Sequence, residues 1–379
     1  MSTAVATRDA RRAEALDSFR VRGMPHRRFE HWRYSDLRAQ LDAGQVAQSG
    51  TANWHIEEVP KGVELFDLSK DVAPDWVLQH LGHIGNRPTM EEASLAFAEG
   101  GAALRVPRGR KISEPVRLQL SSTGNLRLLV VLEEDAALTF AEFNTLDAGL
   151  LRNVGVEVSL APGAQLMHVR AAPPMSRSFT IEHIAVSVAE NARYRAHLAN
   201  FGSRLSRTEL HILLEGENAE AHLSGVTIVG NENHADVTSH IEHVSGKTLS
   251  TQLFKHVAGG KSRAVYQGKI TVREGADGSD SRQTARALLM SGRAEADLKP
   301  ELIIFADDVK CAHGATVGDL DADSLFYLRS RGIHEREARK MLVHAFLEEA
   351  VTDIGDGALR EAVWRDIESA LPRAMEAAR

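Results

Sequence analysis

With 379 residues, 43% of them hydrophobic and 26% charged, the chain has ample material for a buried core, and it holds no apolar run near the roughly 20 residues that cross a bilayer. Its net charge, 45 − 52 = −7 without a basic block, argues against nucleic acid as the main partner. A single cysteine excludes an intramolecular disulfide, and the early charges at Arg8, Arg11 and Arg12 leave no signal-peptide core, so a reducing, cytoplasmic setting is expected.

Three regions differ in periodicity. The first, residues 1–98, mixes helix signals with irregular segments. Thr7–Val21, rich in Ala and Arg and ended by Gly23-Met24-Pro25, predicts an exposed helix. Behind it, Phe29–Leu37 gathers aromatic and basic side chains. A nucleotide-stacking surface is one reading of it; the expectation is that Trp32 and Tyr34 anchor this region on its neighbour. A further helix is predicted over Pro88–Glu99, on Met90, Ala93, Leu95, Ala96 and Phe97.

In the second region, residues 99–318, one unit recurs: an apolar strand enters a tight turn, and a short strand containing alanine leaves it. Leu129–Leu132 with Ala136, Val156–Leu160 with Ala164, Ile184–Val188 with Ala192, and His211–Leu214 with Ala219 are its clearest copies. Taking Asp135, Gly163, Asn191 and Asn218 as turn markers gives spacings of 28, 28 and 27, and the series continues through Gly246 and Gly275 to the neighbourhood of Asp308. A period of this length filled with strands predicts a mainly β fold, a right-handed β-helix or β-solenoid core flanked by N-terminal and C-terminal helical regions; propeller blades are longer. Stacking closes the core between coils and leaves each end coil to be capped or used as an interface.

The third region, residues 319–379, returns to helices. Ala338, Met341, Leu342, Ala345 and Phe346 form a stripe within Arg336–Glu349, and Ala358–Leu371 carries Leu359, Ala362, Val363, Trp364 and Ile367 up to a stop at Pro372. The two helices are expected to pack on each other, with a groove for another subunit as the alternative.

Cys311 and His313 fall on the last coil. Two positions apart in a strand, they share one face about 6.5 to 7 Å apart along the chain, a spacing that suits two ligands of one metal, a Cys–His nucleophile, or a buried structural pair. Lys310 and Asp307-Asp308 act on the thiol in opposite senses, and Gly314 permits close approach. Of the 17 histidines, His183, His197, His211, His222, His234, His240, His243 and His256 crowd the repeats in no standard zinc spacing, and are expected to be ordinary solvent-facing or ladder residues. No phosphate-binding loop, dinucleotide fingerprint or zinc-protease motif occurs, so ATP hydrolysis would need another chain.

The run Phe305–Gly318, followed by Ser324-Leu325-Phe326-Tyr327-Leu328 and Ser330-Arg331-Gly332-Ile333, closely resembles the SufB/SufD family of iron–sulfur cluster assembly proteins. Gly23-Met24-Pro25 with Glu30, Trp32, Arg33 and Tyr34 resembles that family's N-terminal signature, so the likeness spans nearly the whole chain. Lys310-Cys311 with His313-Gly314, together with the chain length, is similar to the SufD side of the family; a SufB-like subunit is the alternative within it. The resemblance implies a SUF scaffold subunit that is not an enzyme, pairs with a SufB-like homologue through the β-helices, and binds a SufC-like ABC ATPase through its C-terminal helical region. A transient iron–sulfur cluster would form near the junction, where His313 matches the implicated histidine and Cys311 the cysteine beside it. Leu325, Phe326, Tyr327 and Arg331 match the region that would face the ATPase. Reduced flavin is implied as an electron source for the complex, yet no run here marks a flavin site, and no stable cofactor is expected in the isolated chain, for which a homodimer is an expectation. One half of a shared site should carry few ligands, as a scaffold that releases its cluster requires.

Two rival classes remain, one resting on acidic and basic residues along a groove of the β-helix and the other on Cys311 with His313. A polysaccharide lyase-like, carbohydrate-active β-helix would turn over polysaccharide alone, and a Cys-His hydrolase would form an acyl adduct on Cys311.

Overall fold

The computed structural model of the chain describes residues 3–48, 50–85, 88–121, 123–144, 150–172 and 175–376. Two nine-stranded sheets face each other, and from Gly101–Val106 onward successive strands alternate between them. Sheet A runs from Trp54–Ile56 through Val116–Leu120 to Asp280–Leu289 and Lys310–Gly318; sheet B runs from Glu64–Asp67 through Gly101–Val106 to Arg263–Val272 and Glu295–Ile304. Within each sheet the strands are parallel to the coil below, except for the first: Trp54–Ile56 pairs antiparallel with Val116–Leu120, and Glu64–Asp67 with Gly101–Val106; the register is regular but for an irregularity at Ser203–Ser206. The architecture is a β-solenoid. Its strands are longer than the short runs the sequence predicts, mostly eight to ten residues, and two of them make one coil.

The repeating turn explains the period. Asp135, Asn191 and Asn218 lie in the left-handed region at φ 57°, 56° and 57°, as does Gly163 at 71°, which is where Asn, Asp and Gly cost least. Each is followed by a fully buried alanine, Ala136, Ala164, Ala192 or Ala219. Coils are stitched through these turns: Asp135 N donates to Pro162 O (2.9 Å), Gly163 N to Glu190 O (2.9 Å) and Asn191 N to Glu217 O (3.0 Å). Later the markers shift by a residue or more. Lys247, not Gly246, takes the left-handed position, and the turn stacked on the last coil is Gly278, whose N–H donates to Asp308 O. The extra Gly275–Gly278 loop lengthens the period there.

Inward-facing Leu126, Leu128, Val130, Val156, Val158, Ile184, Val186, Leu210 and Ile212 meet Leu118, Phe140, Leu166, Leu198 and Leu223 in one continuous core. Removing such a side chain from water contributes about 1.5 to 3 kcal/mol, but only once a neighbouring coil covers it.

The outer faces are covered unequally. The N-terminal segment holds helices at Thr3–Arg22, Asp75–His80 and Thr89–Phe97 besides the two capping strands, and it lies on sheet B. Trp32 is buried under the Arg207 guanidinium, 4.3 Å from its ring, Tyr34 lies beneath Arg263, and Ser35 donates to Asp236, so Trp32 and Tyr34 do act as anchors. The C-terminal helices Glu335–Val351 and Gly357–Glu376 pack on sheet A as well as on each other. The buried face of the first is Ala338, Val343, Leu347, Ala350 and Val351; Met341 and Ala345 point outward, because the sheet, not the partner helix, selects which flank of the helix is covered. The second helix passes through Pro372 instead of stopping there. Leu371 and Ala374 are buried on the solenoid, and the backbone at Arg373 and Ala374 presses against Gly230 and Gly259, so packing carries the last turn past the lost hydrogen bond.

Candidate functional site

The two ends of the solenoid are built differently. At the start, an antiparallel strand closes each sheet; at the far end Glu295–Ile304 and Lys310–Gly318 are the last strands of sheets B and A, with no further strand beyond them among the described residues. An open parallel edge presents unpaired backbone donors and acceptors. Around it Ile304, Phe305 and Val317 are exposed, and Leu298 and Leu302 are only half-buried.

Cys311 and His313 sit on this edge. Parallel pairing sets Cys311 beside Ser281 and His313 beside Gln283. Ser281 and Gln283 are fully buried and face the interior, so the alternation of a strand turns Cys311 and His313 towards the same inner side, where the missing next coil leaves Cys311 half-buried and His313 exposed. Cys311 leans on Ile270, Val272 and Ala276. Burial, and secondarily the Asp280 carboxylate, push its thiol above the usual range, so it holds its proton at neutral pH. Neither side chain has a hydrogen-bond partner among the described residues, and nothing there activates the thiol as a Cys–His nucleophile requires.

Behind this pair the interior becomes polar, which the sequence reading missed. Ser281 and Ser250 hydroxyls lie 2.6 Å apart, Ser250 meets His243 Nε2 at 2.9 Å, and His243 Nδ1 meets Thr248 at 2.7 Å. Alongside, Gln283 Nε2 donates to the Tyr266 hydroxyl (2.9 Å), which donates to Gln252 Oε1 (3.1 Å). Gly268 makes the room: a Cβ there would sit 1.7 Å from Gln283 Nε2. The signal that could have found this layer is the coil period, which places Ser250, Ser281 and Cys311 in one register.

Of the partner-binding candidates, Leu325, Phe326 and Tyr327 lie on the helix Ala322–Ser330 and Arg331 follows its last residue; the helix is joined to the edge strand by Asp319–Asp321 and capped by Asp321, whose side chain accepts from Ser324 N (2.7 Å). No residue of this helix is buried. Phe326 is 73% and Tyr327 57% exposed, Leu325 is half-buried, and the Arg331 guanidinium lies 5.2 Å from the Tyr327 ring. The edge strand and this aromatic helix therefore form a continuous stretch of chain with little cover.

Of the two settings expected for the histidines, solvent-facing and ladder, the second is seen where His211 stacks on His240 of the next coil, and the first is not. None of the eight is solvent-facing: His183, His197, His211, His243 and His256 are buried, and His222, His234 and His240 are half-buried. Burial lowers His197, His234, His240, His243 and His256 to about 4, leaving them neutral at pH 7. His211, His240 and Glu242 come together on the outer face of sheet B, a cluster no linear spacing announces.

Among the described residues, no helix is long and apolar enough to cross a membrane. The profile of the SUF system FeS cluster assembly, SufBD core domain, matches residues 118–346, a stretch that includes Cys311, His313 and the exposed aromatic helix. Iron-sulfur cluster assembly SufBD family protein slr0076 of Synechocystis is 29% identical over 93% of this chain and 88% of its own length. Iron-sulfur cluster assembly protein SufD of Escherichia coli is 33% identical over 73% of this chain and 68% of its own. Iron-sulfur cluster assembly protein SufB of Bacillus subtilis is 26% identical over 67% of this chain and 56% of its own.

Proposed function

The chain belongs to the SufBD family of SUF iron–sulfur cluster assembly proteins, and from that premise we propose that it is a SufD-like scaffold subunit that joins a SufB-like homologue through the open end of its solenoid. The observation that carries this reading is the asymmetry of the two ends, one closed by antiparallel strands and the other ending in two unpaired parallel edges flanked by exposed Ile304, Phe305 and Val317. A homologous solenoid offers the matching edge, since its own coils repeat the same strand spacing and can continue both sheets. The higher identity to a SufD than to a SufB supports the SufD-like assignment.

In this reading the nascent iron–sulfur cluster is cargo, built between the two chains and passed on. His313 offers an exposed imidazole at the junction; Cys311 offers a thiol that would lose its proton only on meeting a metal, and so serves as the weaker or later ligand. Two ligands on this side suit a site that must release what it assembles. A SufC-like ATPase would dock on the helical region after Gly318, where Phe326 and Tyr327 supply the aromatic anchors and Leu325 and Arg331 flank them. Reduced flavin, as electron source, belongs to the assembled complex in this account and not to this chain. The chain works as a scaffold without its own ATP hydrolysis, in the cytoplasm.

Ala315 gives the test. It faces the interior in register with buried Ala285 but is exposed, because no coil covers it. Ala315→Lys would leave the isolated chain as stable as before and abolish co-purification with a co-expressed SufB-like partner. Retained co-purification would place the junction elsewhere.

A further inference from the structure

Away from the open end, on the outer face of sheet B, His211 and His240 stand side by side on neighbouring parallel strands, 29 residues and one coil apart, with their rings stacked at 5.1 Å. Glu242 lies two residues beyond His240 and so on the same face. Its Oε1 reaches His211 Nε2 at 2.7 Å and stands 3.8 Å from His240 Nδ1. The ligand atoms of all three residues fall within 4.8 Å of one another. The surroundings orient them. Thr271 Oγ1 holds His240 Nε2 at 2.9 Å, and with Thr271 accepting there, Nδ1 carries its lone pair towards the carboxylate. Arg273 engages the other oxygen, Oε2, and leaves Oε1 facing the imidazoles. Two acceptors turned on one another are an arrangement that a cation between them resolves.

We infer that His211, His240 and Glu242 form a binding site for one divalent first-row transition-metal ion, zinc or ferrous iron in chemistry. Two imidazoles and a carboxylate are a recurrent set for both, and they leave further positions open to solvent or ligand. His240 also lines a groove of about 740 Å³ between sheet B and the N-terminal segment, walled by Phe29, Glu30, His31, Lys269 and Lys299, so the open position faces a space that a small molecule or water can enter. Gly85 of the N-terminal segment passes over His211, where an added Cβ would lie 3.0 Å from Nδ1, so that segment closes one side of the site.

This inference does not depend on the role proposed for Cys311 and His313, and the test separates them. The full chain, stripped of metal with a chelator, is titrated with Co(II) as an optical probe. One equivalent should bind with visible ligand-field absorption. His240→Ala and His240→Gln should remove that absorption and weaken binding at least roughly 100-fold, while the Cys311→Ser/His313→Ala double variant keeps it. Thermal unfolding in chelator confirms that each variant is folded, and zinc should raise the midpoint of the unsubstituted chain but not of either His240 variant. Absorption absent from the unsubstituted chain, unchanged in both His240 variants, or lost in the double variant instead would overturn the site.

Discussion

Glu157→Gln and Glu91→Gln should move stability in opposite directions, although both carboxyls contact the same buried arginine. Arg127 is fully enclosed; its Nη2 pairs with Glu157, and its Nη1 donates to Glu91 Oε1 (3.0 Å) and Ser94 Oγ (2.8 Å). Glu157 also accepts from the backbone N–H groups of Gly82 (2.8 Å), His83 (3.1 Å) and Ile84 (3.2 Å), and so ties the N-terminal segment to sheet B. Burial, opposed by Arg127 and reinforced by Glu157, lifts Glu91 to about 8, so Glu91 is protonated at pH 7 and Glu157 alone balances the guanidinium. Glu157→Gln leaves a buried charge without its counter-charge, a loss of roughly 3 to 5 kcal/mol. Glu91 behaves in the reverse sense. Its folded value lies above its unfolded value of 4.5, so its favourable contribution is complete below pH 4.5 and is lost as pH rises towards 8. Holding it protonated at pH 7 costs about 2.5 × 1.36, on the order of 3 kcal/mol, which Glu91→Gln should recover at pH 7 and not at pH 4. Urea unfolding followed by tryptophan fluorescence is the assay, since Trp32, Trp54 and Trp76 all lie in the N-terminal segment. Equal destabilisation by both substitutions, or a Glu157→Gln loss below about 1 kcal/mol, would refute the assignment of charge.

Phe326→Ala with Tyr327→Ala should leave the unfolding midpoint unchanged and weaken binding of a SufC-like ATPase by about 2 kcal/mol or more, roughly 30-fold, measured by calorimetric titration. Gly259→Ala puts a Cβ 1.8 Å from Ala374 O and should loosen the end of the last helix at a cost of about 1 to 3 kcal/mol, seen as faster proteolysis after residue 355; an unchanged cleavage rate would mean that the helix end is held elsewhere. Cys311→Ser should lower cluster loading less than loss of His313 does, because the thiol is protonated at rest.

The solenoid was legible because its turns impose a backbone that few residues tolerate. Asp135, Gly163, Asn191 and Asn218 mark it at regular intervals, and the alanine after each has no space for more. The markers failed where the chain pays the left-handed cost with an unfavourable residue: Lys247 does so, with its ammonium on Glu217 of the coil below, and a search for glycine lands on Gly246. Sheet A was the harder half. Strands such as Gln165–Ala172 and Asp280–Leu289 carry His, Arg, Gln and Ser because one face lies under helices or solvent and the other lines a partly polar interior, so apolar alternation is weak. The covered flank of Glu335–Val351 was misread for a related reason: the helix has apolar residues on two sides, and only tertiary packing picks one. Cys311 and His313 were legible as a pair on one face; that the face is the inner one became visible only through Ser281 and Gln283 beside them. His211, His240 and Glu242 were invisible to any linear motif, since their proximity exists only modulo one coil.

In the proposed role, the open end is half of a shared assembly site with His313 as this chain's leading ligand. Its most direct test is the anaerobic reconstitution of the complex of this chain, a SufB-like subunit and a SufC-like ATPase, with iron and sulfide quantified and the cluster absorption recorded, for the unsubstituted chain and for His313→Ala. Both complexes should be intact and of unchanged composition, with cluster loading strongly reduced in the variant; equal loading in the two would refute the role of His313.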